Sequence, residues 1–112
     1  MNPQIKQKWV SALRSGEYQQ TQERLRKEDG FCCLGVLCDL YGKENNVEWN
    51  LANNGHNYEF QDKESHLPSS VMEWAGVGDQ NPDINNGTKT LAELNDIGYT
   101  FNEIADLIEN HL

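Results

Sequence analysis

The chain has 112 residues, of which 37% are hydrophobic and 24% charged, and its formal net charge is −9. That length holds one core and not two domains, and the composition is not that of a disordered chain. No run approaches the ~20 apolar residues of a membrane-spanning helix, and the excess of acid sets the chain as a whole against duplex nucleic acid, whose affinity comes mainly from neutralised phosphates.

Asn2-Pro3 is a helix start, with Asn as N-cap and Pro at the first helical position. Ile5, Trp9, Ala12 and Leu13 recur at helical spacing and Gly16 is a stop, which predicts a helix over 3–15. The opening residues lack the apolar stretch of a signal peptide, so the expected compartment is the cytoplasm. Residues 17–29 are polar and read as a loop or irregular strand closed by an Asp29-Gly30 turn. Phe31 to Tyr41 is the most apolar stretch. Its length and the following Gly42 favour a buried central helix over a strand. Gly35 inside it costs a helix about 1 kcal/mol relative to Ala, which predicts close packing of another element against it.

Val47, Trp49 and Leu51 alternate, as do Tyr58 and Phe60, with Asn53-Asn54-Gly55 between them. This is the pattern of a β-hairpin. Leu67-Pro68-Ser69-Ser70 opens a short helix with Val71, Trp74 and Ala75 inward and Gly76 at its end. Residues 76–87, rich in Gly, Asn, Asp and Pro, read as loop. Two capping-box patterns follow, Thr90 with Glu93 and Thr100 with Glu103, separated by Gly98 as a stop. In the last helix Phe101, Ile104, Ala105, Ile108 and Leu112 share one face, flanked by Leu107. The expected architecture is a single α+β domain over 1–112: an N-terminal helix, a buried central helix, a β-hairpin and a C-terminal helical pair.

Three stretches carry a resemblance. They are Trp9-Val10-Ser11-Ala12-Leu13-Arg14-Ser15-Gly16-x-Tyr18-x-Gln20, the block FCCLGVLCDLY at 31–41, and Leu91-x-x-Leu94-Asn95-Asp96-x-Gly98-x-x-Phe101-x-x-Ile104-Ala105-Asp106-x-Ile108-Glu109. The central block is specific and the other two are weaker alone. Together the chain resembles a family of small uncharacterised proteins of bacteriophages and prophages. The resemblance implies a phage-type accessory protein, acting in the host cytoplasm if phage-encoded. It brings no activity that transfers residue by residue.

Cys32, Cys33 and Cys38 form an odd set in one short segment, which opposes a disulfide framework and fits a reducing compartment. They lack Cys-x-x-Cys spacing, and His56, His66 and His111 lie in turns or at the end. A four-ligand zinc site is therefore not expected, and buried core thiols are. No metal or cofactor is expected. A carboxylate beside Cys38 would raise a thiol pKa, no Ser stands in a nucleophile elbow, and no glycine-rich loop binds phosphate. Binding is favoured over catalysis. The C-terminal helix pair has the outline of a helix-turn-helix, but Glu93, Asp96, Glu103, Asp106 and Glu109 against a single Lys89 favour a packed hairpin over a DNA reader.

Charge is split unevenly along the chain. Residues 1–43 hold seven basic and five acidic residues, and residues 44–112 hold two and thirteen. Within the first part Arg14, Tyr18, Gln20, Arg24 and Arg26 form a polar set suited to an anion: guanidinium forks match phosphates and an aromatic face suits a base. Trp9, or a second copy in a homo-oligomer, could complete the site. Solvated residues with incidental ion pairs are the plainer alternative. Two functional classes follow. One is a non-enzymatic binder of a small nucleotide-like ligand, sequestering a host immune signal in an anti-defence role. The other is an acidic interaction module that docks on and inhibits a host protein.

Overall fold

Asn2 caps the first helix through its side chain. In the computed structural model, which describes residues 1–84 and 89–112, α1 runs Pro3–Arg14, and Asn2 Oδ1 accepts from the backbone N–H groups of Gln4 and Ile5. Its apolar stripe buries Ile5, Trp9, Val10 and Leu13. Arg26–Lys27 (β1) and Gly30–Phe31 (β2) form a tight hairpin, with Glu28 and Asp29 at the turn. The central helix α2 is Cys33–Asn45, starting two residues later than expected and running on through Gly42. The difference has a local cause. Phe31 is held by strand pairing, and Cys32 is the N-cap, its Sγ accepting from the Gly35 N–H. At the far end Asn46 adopts the left-handed conformation (φ 57°) that closes the helix.

The expected hairpin is present but short, as Asn50–Leu51 (β3) and Asn57–Glu59 (β4). Val47 and Trp49 lie ahead of the pairing. Gly55 turns with φ +76°, and Asn54 Oδ1 accepts from His56 and Asn57 N–H. α3 is Ser69–Ala75, closed by Gly76 in the left-handed region. Val71 and Ala75 are buried, whereas Trp74 is half-buried and gives its indole N–H to Glu44. The stretch expected as loop over 76–87 contains the strand Asp83–Ile84 (β5), paired with Lys89–Thr90 (β6). Its residues 85–87 lie outside the described residues. α4 is Leu91–Asp96 and α5 is Phe101–His111. Thr100 and Glu103 complete a capping box. Thr90 caps α4 through its hydroxyl while also ending β6.

The four-stranded sheet has the order β2-β1-β4-β3, all antiparallel. α2 is central, with α1, α3, α4 and the sheet around it, and α5 covers α1. The core joins Trp9, Leu34, Leu37, Phe60, Leu91, Ile104 and Ile108, all fully buried. The molecule is thus the expected α+β domain, with the C-terminal pair packed as a hairpin whose α5 lies on α1 and whose α4 lies on α2. No helix among the described residues is long and apolar enough to cross a membrane.

Candidate functional site

The sheet register places Phe31, Arg26, Tyr58 and Leu51 in one cross-strand row, because Arg26 pairs with both Phe31 and Tyr58, and Tyr58 pairs with Leu51. Residues opposite each other in neighbouring strands project from the same face. The Arg26 guanidinium lies 4.8 Å from the Phe31 ring centre, 4.4 Å from Tyr58 and 5.6 Å from Trp49. Such contacts stabilise a cation electrostatically, and they also fix the fork in space. Among the described residues no hydrogen bond and no ion pair engages this fork.

Arg26 stands at one side of an open cleft of about 860 Å³. The C-terminal half of α2 contributes Asp39 and Lys43, the following segment contributes Asn46, Glu48, Trp49 and Asn50, and β4 contributes Tyr58. Gly42 lets the sheet come close: a methyl group there would sit 3.1 Å from the Phe60 ring and 2.5 Å from the Val47 carbonyl oxygen. Asp39 organises the wall. Its carboxylate accepts from Tyr18 Oη at 2.6 Å and Trp49 Nε1 at 3.1 Å, and Lys43 Nζ lies 3.3 Å away. Burial, then the hydrogen bond to Asp39, pushes the Tyr18 hydroxyl up to about 12. Tyr18 in turn accepts from Lys43, which raises the lysine further. The indole of Trp49 is therefore held by a hydrogen bond as well as by edge packing against Phe31 and Phe60.

The six residues suggested by the sequence are dispersed. Trp9 is fully buried between helices and gives its indole N–H to the Cys33 carbonyl oxygen at 2.9 Å, so it faces no cleft. Arg14 spends its fork on two carboxylates of α5, Asp106 at 2.5 Å and Glu109 at 2.8 Å, and those bonds raise its pKa. Gln20 donates to Asn95 Oδ1 and to the Tyr99 carbonyl oxygen. Arg14, Tyr18 and Gln20 do border one small depression of about 230 Å³, with their polar ends turned to these protein partners. Arg24 precedes β1 and faces another cavity of about 200 Å³, beside Glu23, Glu93 and Asp96. Its Nη1 bonds the Glu23 carbonyl oxygen, and its Nε is buried with no partner among the described residues. Arg26 alone keeps an aromatic setting and an unengaged fork. Asp39, Lys43, Glu48, Trp49 and Tyr58 are among the cleft residues the sequence reading missed. The alternation of Trp49, Leu51, Tyr58 and Phe60 marked a common face, but nothing local marked Arg26 as its neighbour.

The three thiols are free and buried. Burial pushes Cys32 up to about 11 from 9.0 and raises Cys33 and Cys38 well above it, so none is a poised nucleophile. A raised folded-state pKa contributes stability below the unfolded value, lost as pH rises through the folded one. The urea midpoint is therefore expected to fall steeply from pH 9 to 11, and an unchanged midpoint across that range would overturn the assignment. Among the described residues no three His, Cys, Asp or Glu side chains are grouped to hold a metal ion.

Neither a curated protein nor a solved structure matches the chain. A family model described as a domain of unknown function, DUF8296, matches residues 1–112. The chain therefore belongs to the DUF8296 family, which it matches from its first residue to its last.

Proposed function

We propose that the chain is a non-enzymatic binder of a small nucleotide-like anion, with the ligand in the cleft between α2 and the sheet and its phosphate on Arg26. The observation that carries this reading is the state of Arg26. Three rings hold its guanidinium, while its N–H edge meets no acceptor among the described residues. A preorganised fork suits a bidentate oxyanion and loses little entropy on binding. Lys43 stands at the same cleft as a second cation, and Trp49 and Tyr58 supply aromatic surface for a base. The cleft volume lies in the range of small-molecule sites. In a phage-encoded protein such a binder would serve to sequester a host signalling nucleotide.

The test is calorimetric titration with cyclic dinucleotides, ADP-ribose-derived signals and nucleoside monophosphates. Saturable binding is expected, and Arg26→Ala is expected to weaken it by about ten- to a hundredfold, the equivalent of one charge-assisted contact of about 1.5–3 kcal/mol. Arg24→Ala is expected to leave it unchanged. Silence with every ligand, or binding indifferent to Arg26, would sink the reading.

A second reading, an acidic module that docks on a host protein, draws on one feature. Ile97 and Tyr99 are 64% and 38% exposed at the corner between α4 and α5, beside Asp96 and Glu103. Under it, Ile97→Ser with Tyr99→Ser abolishes inhibition of the host target, and Arg26→Ala does not.

A further inference from the structure

Glu48 lines the same cleft as Arg26, and among the described residues its carboxylate has no hydrogen-bond or ion-pair partner. The other carboxylate of the cleft, Asp39, is occupied by Tyr18, Trp49 and Lys43. The cleft thus offers an unengaged donor fork and an unengaged acceptor that do not neutralise each other. Its four charged side chains, Arg26, Lys43, Asp39 and Glu48, sum to zero. A bare anion gains from Arg26 and Lys43 but is repelled by Glu48, so it binds such a site poorly. A ligand with an anion at one end and O–H or N–H donors at the other satisfies both.

We propose that Glu48 is the specificity-determining residue of the cleft, accepting hydrogen bonds from a donor group of the ligand, a sugar diol or a base amine, while Arg26 holds the phosphate. This rests on the proposed binding of a nucleotide-like anion at Arg26. It goes further by naming what separates a nucleotide from other phosphates. A carboxylate that accepts from a ribose hydroxyl is a general device for reading sugars, and Glu48, exposed at the cleft, is open to such a donor.

Three probes separate the contributions on wild type and on Glu48→Gln: methyl phosphate, ribose 5-phosphate and AMP. Methyl phosphate has the anion and no further donor, ribose 5-phosphate adds hydroxyls, and AMP adds the base. In wild type at least one of the latter two should bind tenfold or more tighter than methyl phosphate. A gain appearing with ribose 5-phosphate assigns the donor to the sugar, and a gain appearing only with AMP assigns it to the base. In Glu48→Gln that margin should shrink to about threefold or less, and methyl phosphate should bind as well or better because a repelling charge is gone. A margin that survives in Glu48→Gln, or wild type that takes methyl phosphate as tightly as AMP, overturns the role of Glu48 and leaves the Arg26 reading standing. Wild type that binds none of the three overturns the role of Glu48, and the Arg26 reading falls with it when the cyclic dinucleotides and ADP-ribose-derived signals are silent as well.

Discussion

Gly35→Ala is expected to cost more than about 4 kcal/mol and to leave little folded protein, although alanine is the better helix former by about 1 kcal/mol. The first turns of α2 are crossed by the chain at Leu25. A methyl group on Gly35 would lie 1.8 Å from the Leu25 carbonyl oxygen and 2.7 Å from its carbonyl carbon. No side-chain rotation relieves a clash with backbone. Leu25 cannot withdraw either, because it is fully buried, its N–H bonds the Glu64 carbonyl oxygen at 2.6 Å, and its carbonyl accepts from Cys32 N–H at 3.0 Å. Overpacking of this kind exceeds the ordinary 1–3 kcal/mol cost of an extra methylene, which backbone shifts usually absorb. Since domains are stable by only about 5–15 kcal/mol, urea unfolding should show the midpoint collapsing. A variant as stable as wild type would mean that Leu25 does not cross α2 at Gly35. Arg26 follows Leu25 directly, so the same crossing sets where the cleft arginine emerges.

Asn95→Ala is expected to cost about 3 kcal/mol, well beyond its size. Asn95 is fully buried in α4. Its Oδ1 accepts from Cys33 N–H at 3.2 Å and Gln20 Nε2 at 2.8 Å, and its Nδ2 donates to the Thr21 carbonyl oxygen at 2.8 Å. One side chain thereby satisfies the start of α2 and fastens the polar segment ahead of β1 to α4. Alanine leaves a buried N–H and a buried carbonyl without partners, and each such group costs about 1–3 kcal/mol. Asn95→Asp should be no milder, since it keeps the acceptor but loses the donor to Thr21 and buries a charge. Thermal unfolding checks both, and a loss under about 1 kcal/mol in Asn95→Ala would show that water replaces the side chain at this position. Gln20→Ala should cost less than Asn95→Ala, because Gln20 is itself only partly buried.

These two residues mark the boundary between local and tertiary information. Gly35 was legible in outline: a glycine in an apolar helical run implies close approach, and the approach is there. Asn95 was not, because an asparagine in a polar-apolar helix looks the same whether it faces water or three buried partners. Gln20 belonged to the suggested anion set by residue type, and its amide proves committed to Asn95 and Tyr99. Arg14 looked equally available, yet its carboxylate partners Asp106 and Glu109 sit at the other end of the chain. No window of sequence contains such a pair.

By itself the sequence determined the class of the domain and the faces of its longer elements. Helical periodicity and caps write α1 and α5 into any dozen residues, since each needs only one apolar stripe and a satisfied end. The buried thiols followed from the apolar run that holds them. Only the tertiary structure decided the two-residue strands β1, β2, β5 and β6, which are too short to show alternation and exist through pairing. It also decided which cation stays free. Arg14, Arg24 and Arg26 are chemically alike, and pairing of β1 with β4 sets one of them among Phe31, Trp49 and Tyr58, while packing of α5 on α1 delivers two carboxylates to another. The electrostatics of a side chain depend on neighbours brought by the fold, and those neighbours come from segments that the local pattern treats as independent.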